Sequence, residues 1–131
     1  MTALLDTDVL IDLLHKREPT TQYLRELRDR GETLATSSVN AAELWRGAST
    51  PAARDAVMRL LTALHEVPFG PRMARRFGEL MHALDRADSP IGNTDGLIAA
   101  CALESGARLV TRNAKEYRRV PGLEVLVPRK E

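Results

Sequence analysis

The chain has 131 residues, a length that suits one domain. It is 44% hydrophobic but only 4% aromatic, so it can build a core, and that core is aliphatic. No run of about 18 uncharged apolar residues and no leader pattern is present, and a net charge of +1 excludes a strongly basic coat, so a cytoplasmic protein without a targeting segment is expected.

The first apolar run stops at Asp6. Residues 3–5 predict a short buried strand and 8–16 a helix, with Asp6 and Asp8 at the junction. Pro19 opens a second helix, where Tyr23, Leu24 and Leu27 share a face and Gly31 follows the end. Residues 33–39, β-branched and partly alternating, predict a second strand, and Asn40 then caps a helix over 41–48. Pro51 starts a fourth helix, whose Val57, Leu60, Leu61 and Leu64 form the clearest helical stripe of the chain. Residues 66–69 predict a short strand, and Pro68 puts it at an edge.

Gly70 and Pro71 open a fifth helix with Met73, Phe77, Leu80, Met81 and Leu84 along one face. A loop over 87–93 leads to an alanine-rich helix at 94–104, apolar nearly all round and therefore buried. The single cysteine, Cys101, lies in that helix as a small core residue, which rules out an intrachain disulfide. Residues 108–111 predict a strand, 115–119 a short helix or turn, Pro121-Gly122 a turn and 123–127 a last strand.

Strands alternating with helices imply an α/β fold: a single-domain α/β/α sandwich over 1–131, with a central, mostly parallel sheet of four to five strands. Ligands of such sheets bind beyond the carboxyl ends of the strands. Asp6, Glu43, Asp95 and Asn113 all follow strands or begin helices there. Each acid also has an ordinary explanation: Asp6 and Asp8 charge-stabilise a first turn, Asn40 to Glu43 resembles a capping box, and Asp95 favours a helix N-terminus. Capping, however, does not require the caps to gather at one edge of one sheet. Gathered carboxylates repel unless a cation compensates, and hard oxygen ligands suit Mg²⁺ or Mn²⁺ better than zinc. His15, His65 and His82 have no paired metal spacing. The C-terminal run from Arg108 is basic, with Arg108, Arg112, Lys115, Arg118, Arg119, Arg129 and Lys130 against Glu116, Glu124 and Glu131. A basic surface around an acidic hole suits a polyanion outside and cations inside.

Four segments in order carry a resemblance: Leu4-Leu5-Asp6-Thr7-Asp8-Val9, Asn40-Ala41-Ala42-Glu43-Leu44, Thr94-Asp95-Gly96-Leu97-Ile98, and Leu109-Val110-Thr111-Arg112-Asn113 with Glu116-Tyr117. Together they resemble a PIN domain, and more closely the VapC-type ribonuclease toxins of bacterial toxin–antitoxin pairs. The resemblance implies a metal-dependent endoribonuclease, a homodimer neutralised by a small VapB-type antitoxin. It implies Asp6, Glu43 and Asp95 as the acidic catalytic and metal-binding centre, using Mg²⁺ or Mn²⁺, with Asp8 as an accessory. Asn113 departs from the aspartate that many relatives carry, and Glu116 is positioned to substitute for it. Thr7 and Thr111 are then expected to hold phosphate, and Arg112, Lys115, Arg118 and Arg119 to contact the RNA backbone.

Two alternatives come from other classes. Asn113 would suit a catalytically degenerate PIN fold that binds RNA or protein without cutting. Asp6-Thr7-Asp8-Val9 also resembles the first motif of haloacid dehalogenase-like phosphatases, but that pattern needs a lysine before a distal acidic pair, and none of Lys16, Lys115 and Lys130 precedes Asp95 suitably.

Overall fold

Strand β1 (Thr2–Leu5) runs up the middle of the sheet, with β2 (Thr33–Ser37) on one side and β4 (Arg108–Val110) on the other. Strands β3 (His65–Val67) and β5 (Val125–Leu126) form the two edges, giving the order β3-β2-β1-β4-β5. Every pairing is parallel, so the upper end of the four-to-five-strand expectation holds. The computed structural model describes residues 1–129; Lys130 and Glu131, counted above in the basic C-terminal run, lie outside the described residues.

The helices are α1 (Thr7–Leu14), α2 (Thr20–Asp29), α3 (Ser38–Gly47), α4 (Pro51–Thr62), α5 (Pro71–Arg86), α6 (Asn93–Glu104) and α7 (Ala114–Tyr117). Side chains of β1 alternate between two cores, as a strand covered on both faces requires. Leu4 joins Leu109, Ile98, Leu80, Leu84 and Tyr117 on the face covered by α5, α6 and α7. Ala3 and Leu5 join Val9, Leu10, Leu24, Leu44, Val57 and Val110 on the opposite face. Trp45 packs at the margin of this second core, with the Arg54 guanidinium 5.2 Å from its ring centroid.

Helix α6 is buried as its composition implies, and Gly96 packs tightly under Phe77 and Met81 of α5. A Cβ there would stand 2.6 Å from Met81 Sδ and 3.0 Å from Phe77 Cε1. The close approach fixes the N-terminal end of α6, which carries Asp95.

The start of α3 differs from the sequence reading. The second strand ends at Ser37, not at residue 39, and Ser37 caps the helix by accepting from the Asn40 N–H at 3.1 Å. Asn40 is therefore the third helical residue instead of the cap, and it is fully buried. Ser37 and Asn40 are both good caps on local grounds. The tertiary structure selects Ser37, because Asn40 is drawn inward to the acids. Glu43 moves from the first turn to the second in consequence. The last strand is shorter than 123–127, since only Val125 and Leu126 find partners on β4.

Candidate active site

The chain order reverses between β1 and β4, the place where an open parallel sheet leaves a crevice beyond its strand ends. Asp6 and Thr111 sit side by side at that point. The register pairs Leu5 with Val110, and the Asp6 N–H extends the ladder onto the Val110 carbonyl at 2.9 Å.

Asp6 does cap α1, since its side chain accepts from the Thr7 N–H at 2.9 Å. It also does much more. Oδ1 accepts from Asn40 Nδ2 at 3.1 Å and lies 3.4 Å from the Tyr117 hydroxyl, while Oδ2 accepts from Thr111 Oγ1 at 2.8 Å. The group is almost wholly buried, yet donors from four places in the chain hold its orientation.

The other acids reach Asp6 through neutral groups. Asn40 gives its second amide proton to Thr7 Oγ1 at 2.9 Å, and Thr7 donates to Glu43 Oε1 at 2.5 Å. Ser37 Oγ donates to Asn40 Oδ1 at 2.6 Å, which fixes which way the amide faces. Tyr117 donates to Asp95 Oδ1 at 3.0 Å. Asp8 Oδ2 accepts from the Arg112 N–H at 3.1 Å and lies 3.4 Å from Thr111 Oγ1.

Burial pushes the Asp95 carboxyl up to about 6, helped by the Glu116 carboxyl against it and the charge of Asp6, and opposed by Tyr117. Asp8 is also raised, first by burial and then by Asp6, with the Arg112 N–H and guanidinium opposing. Among the described residues, no three carboxylates, histidines or cysteines lie close enough together to hold a metal ion as they stand. The acids converge but are spaced by hydroxyl and amide donors.

This donor set fits a hard divalent cation. Every side chain offered is a carboxylate, a hydroxyl or an amide. Asp8 Oδ1 is buried and has no hydrogen-bond partner, a state that ordinarily costs about 1–3 kcal/mol. Raised acids around an unpaired oxygen form a site that a positive charge would stabilise.

Of the residues expected from sequence, Asp6, Asp8, Thr7, Glu43, Asp95, Thr111 and Glu116 fall within this cluster. Asn113 caps α7, its N–H donates to Thr111 Oγ1 at 3.1 Å, and its side chain is exposed and makes no capping bond. Lys115 on α7 and Arg118 just after it are exposed. Arg119 donates to the Pro90 carbonyl at 2.6 Å, tying α7 to the loop before α6. Arg112 pairs beside the cluster: its Nε lies 2.9 Å from Oδ2 of buried Asp12, which also accepts from Thr20. Sequence reasoning missed Asn40, taken for a cap, and gave Tyr117 no role. For Asn40 a signal existed, because i and i+3 share a helix face and Asn40 precedes Glu43 by three.

The PIN domain family matches residues 3–123. Ribonuclease VapC2 of Rickettsia felis is 32% identical over 127 residues, covering 94% of this chain and 95% of the relative. Ribonuclease VapC10 of Mycobacterium tuberculosis is 38% identical over 125 residues, 95% of this chain and 90% of the relative. A chain of the crystal structure of VapBC2 from Rickettsia felis, bound to a DNA fragment from their promoter, superposes with a TM-score of 0.87 at 30% identity, covering 97% of this chain and 98% of that one. VapBC-1 from nontypeable Haemophilus influenzae gives a TM-score of 0.86 at 28% identity, with 99% and 100% covered.

Proposed function

The chain belongs to the PIN domain family, and from that premise we infer that it is the endoribonuclease toxin of a toxin–antitoxin pair, a hydrolase of RNA phosphodiesters. The observation that carries the reading is the convergence on Asp6. Asp95 reaches it through Tyr117, and Glu43 through Thr7 and Asn40, all beyond the strand ends at the sheet's switch point. The covalent-phosphatase reading falls with the family match.

Asp6, Glu43 and Asp95 are the proposed ligands of Mg²⁺ or Mn²⁺, with Asp8 as an accessory and Asn113 or Glu116 completing the set. The chemistry such an ion supplies is activation of water and neutralisation of charge on the phosphate. The chain's own part is orientation. Thr111, Asn40 and the Thr7 N–H hold Asp6, and Thr7 holds Glu43. The raised Asp95 carries a proton in weak acid and sheds it near neutral pH, when it becomes a full anionic ligand. Lys115 and Arg118 supply charge for the RNA backbone, with Arg119 and Arg112 behind them, and such contacts give affinity without sequence choice.

The partner of this reading is a VapB-type antitoxin. A cleft of about 670 Å³, lined by Ile11, Leu14, Leu44, Ala48 and Val57 with Glu43 among its walls, offers an apolar segment a seat beside an acid. A homodimer in the cytoplasm belongs to the same proposal. No helix among the described residues is long and apolar enough to cross a membrane.

Cleavage of RNA by the purified protein with Mg²⁺, with Mn²⁺ and with chelator tests the activity. Asp6→Asn and Asp95→Asn should each lose roughly a hundredfold or more in rate while remaining folded. Either variant cutting at the wild-type rate would overturn the assignment. Wild type that binds RNA but leaves it intact with either metal would favour the non-cutting alternative, for which the neutral Asn113 is the one argument.

A further inference from the structure

Tyr117 lies in the core with 2% of its surface exposed, yet its hydroxyl lies between two acids far apart in the chain. It is 3.0 Å from Asp95 Oδ1 and 3.4 Å from Asp6 Oδ1. A phenol has one proton, so the shorter contact is the bond and the longer one a weaker share of it. We propose that the Tyr117 hydroxyl is a positioning group that clasps Asp95 to Asp6, holding the acid of α6 beside the acid that follows β1 so that both serve one cation. The inference rests on the cation reading of these acids given above.

The two ends of the clasp are unequally supported. Asp6 keeps the Thr7 N–H, Asn40 and Thr111 as donors if Tyr117 is lost. Among the described side chains Tyr117 is the one hydroxyl donor to Asp95, and its other hydrogen-bonding neighbour, Glu116, is itself an acid. The hydroxyl therefore governs Asp95 far more than Asp6. A neutral donor is also the right chemistry for the place. A lysine or arginine there would satisfy both acids with its own charge and compete with the ion, whereas a phenol orients them and leaves their negative charge in place. The ring is anchored independently of the hydroxyl. It packs in the core with Leu109 and Ile98, and α7 is tied down by Arg119 on the Pro90 carbonyl.

Tyr117→Phe keeps the ring and removes the clasp. Mn²⁺ binding to the purified, RNA-free protein, followed by electron paramagnetic resonance, should weaken by roughly tenfold, the scale of loss when a group that orients a metal ligand is removed. In the cleavage assay kcat should fall while KM for RNA stays within about twofold, because the RNA contacts lie elsewhere. A variant with wild-type Mn²⁺ affinity and wild-type kcat overturns the proposal, as does one whose entire defect is in KM. A second measurement needs neither metal nor the variant: hydrogen exchange of the Tyr117 hydroxyl, followed by NMR of ring-labelled tyrosine in the metal-free protein. Exchange should be slow in wild type and at least about tenfold faster in Asp95→Ala, since losing the main acceptor frees the proton. Fast exchange in wild type, or none of this acceleration, sinks the clasp. If wild type binds no Mn²⁺, it is the cation reading that fails, and if Tyr117→Phe does not fold, the binding comparison is lost. In both cases the exchange result still decides whether the hydroxyl holds Asp95.

Discussion

The side-chain amide of Asn40 donates to Asp6 Oδ1 at 3.1 Å from inside α3, the helix that also carries Glu43. Its other proton goes to Thr7 Oγ1 and its oxygen accepts from Ser37, so all its main hydrogen-bonding capacity is used in a fully buried position. Asn40→Ala removes one orienting donor from Asp6 and one from the Thr7–Glu43 link. A stability loss of about 1–3 kcal/mol by chemical denaturation is expected, with cleavage down roughly ten- to a hundredfold. Asn40→Asp should be worse at pH 8 than at pH 5, because the new carboxylate faces Asp6 and repulsion falls once it is protonated. A variant that loses nothing in either assay would show that Asn40 holds neither acid.

Asp95 sets a pH dependence with a definite sign. Its folded-state value of about 6 lies above the ordinary 3.8, so the native state binds the proton more tightly than the unfolded chain. That preference contributes stability below about 3.8 and is lost as pH rises through about 6. In metal-free protein, the stability of wild type relative to Asp95→Asn should therefore fall between pH 4 and pH 7. Adding Mg²⁺ should recover more stability at pH 7.5 than at pH 5, because the carboxylate form binds the ion. Urea denaturation with and without Mg²⁺ across that range checks both, and a flat difference would contradict the raised value.

Gly96 should be intolerant of even one methyl group. Its Cβ would meet Met81 Sδ at 2.6 Å and the Phe77 ring at 3.0 Å, forcing α5 away from α6 beside Asp95. Gly96→Ala is expected to destabilise by about 1–3 kcal/mol and to lower kcat. Combining it with Met81→Ala should return part of the activity, since the sulfur is the closest obstacle. If activity is unchanged in Gly96→Ala, the helix end can move without disturbing Asp95.

Arg112 and Lys115 should fail differently. Arg112 ties the loop after β4 to α1 through buried Asp12, so Arg112→Ala should cost about 1–3 kcal/mol of stability. Lys115→Ala, at an exposed position, should leave stability within about 0.5 kcal/mol but weaken RNA binding, reducing the salt slope by about 0.7 as for a single-strand phosphate contact. Melting curves and salt titrations of binding separate the two roles. A pure binding defect in Arg112→Ala would place its guanidinium on RNA after all.

Local rules were enough for much of this protein. Pro51 and the stripe Val57, Leu60 and Leu61 define α4, with Leu64 falling two residues past its end, and an apolar run broken by Asp6 defines β1 and its end. Asp6 and Asp95 could be found because they stand at element ends, on the side of a parallel sheet where ligands bind. The strand read at 66–69 does lie at an edge, though it runs from His65 to Val67 and Pro68 falls just past it. What those rules could not decide is which groups meet. Asn40 lies 34 positions from Asp6, Thr111 lies 105 and Tyr117 lies 111. Propensity and periodicity report on neighbours within about a turn of helix, so Asn40 read as the cap that Ser37 in fact provides, and Arg112 looked as free as Lys115. Only the folded sheet, bringing β1, β2 and β4 into register, gave Asn40 a carboxylate to face, Arg112 a buried partner in Asp12, and Tyr117 a position between two acids. A hydrogen bond across such distances exists only once the intervening chain has been ordered, and that entropy is offset by the packing of the whole domain.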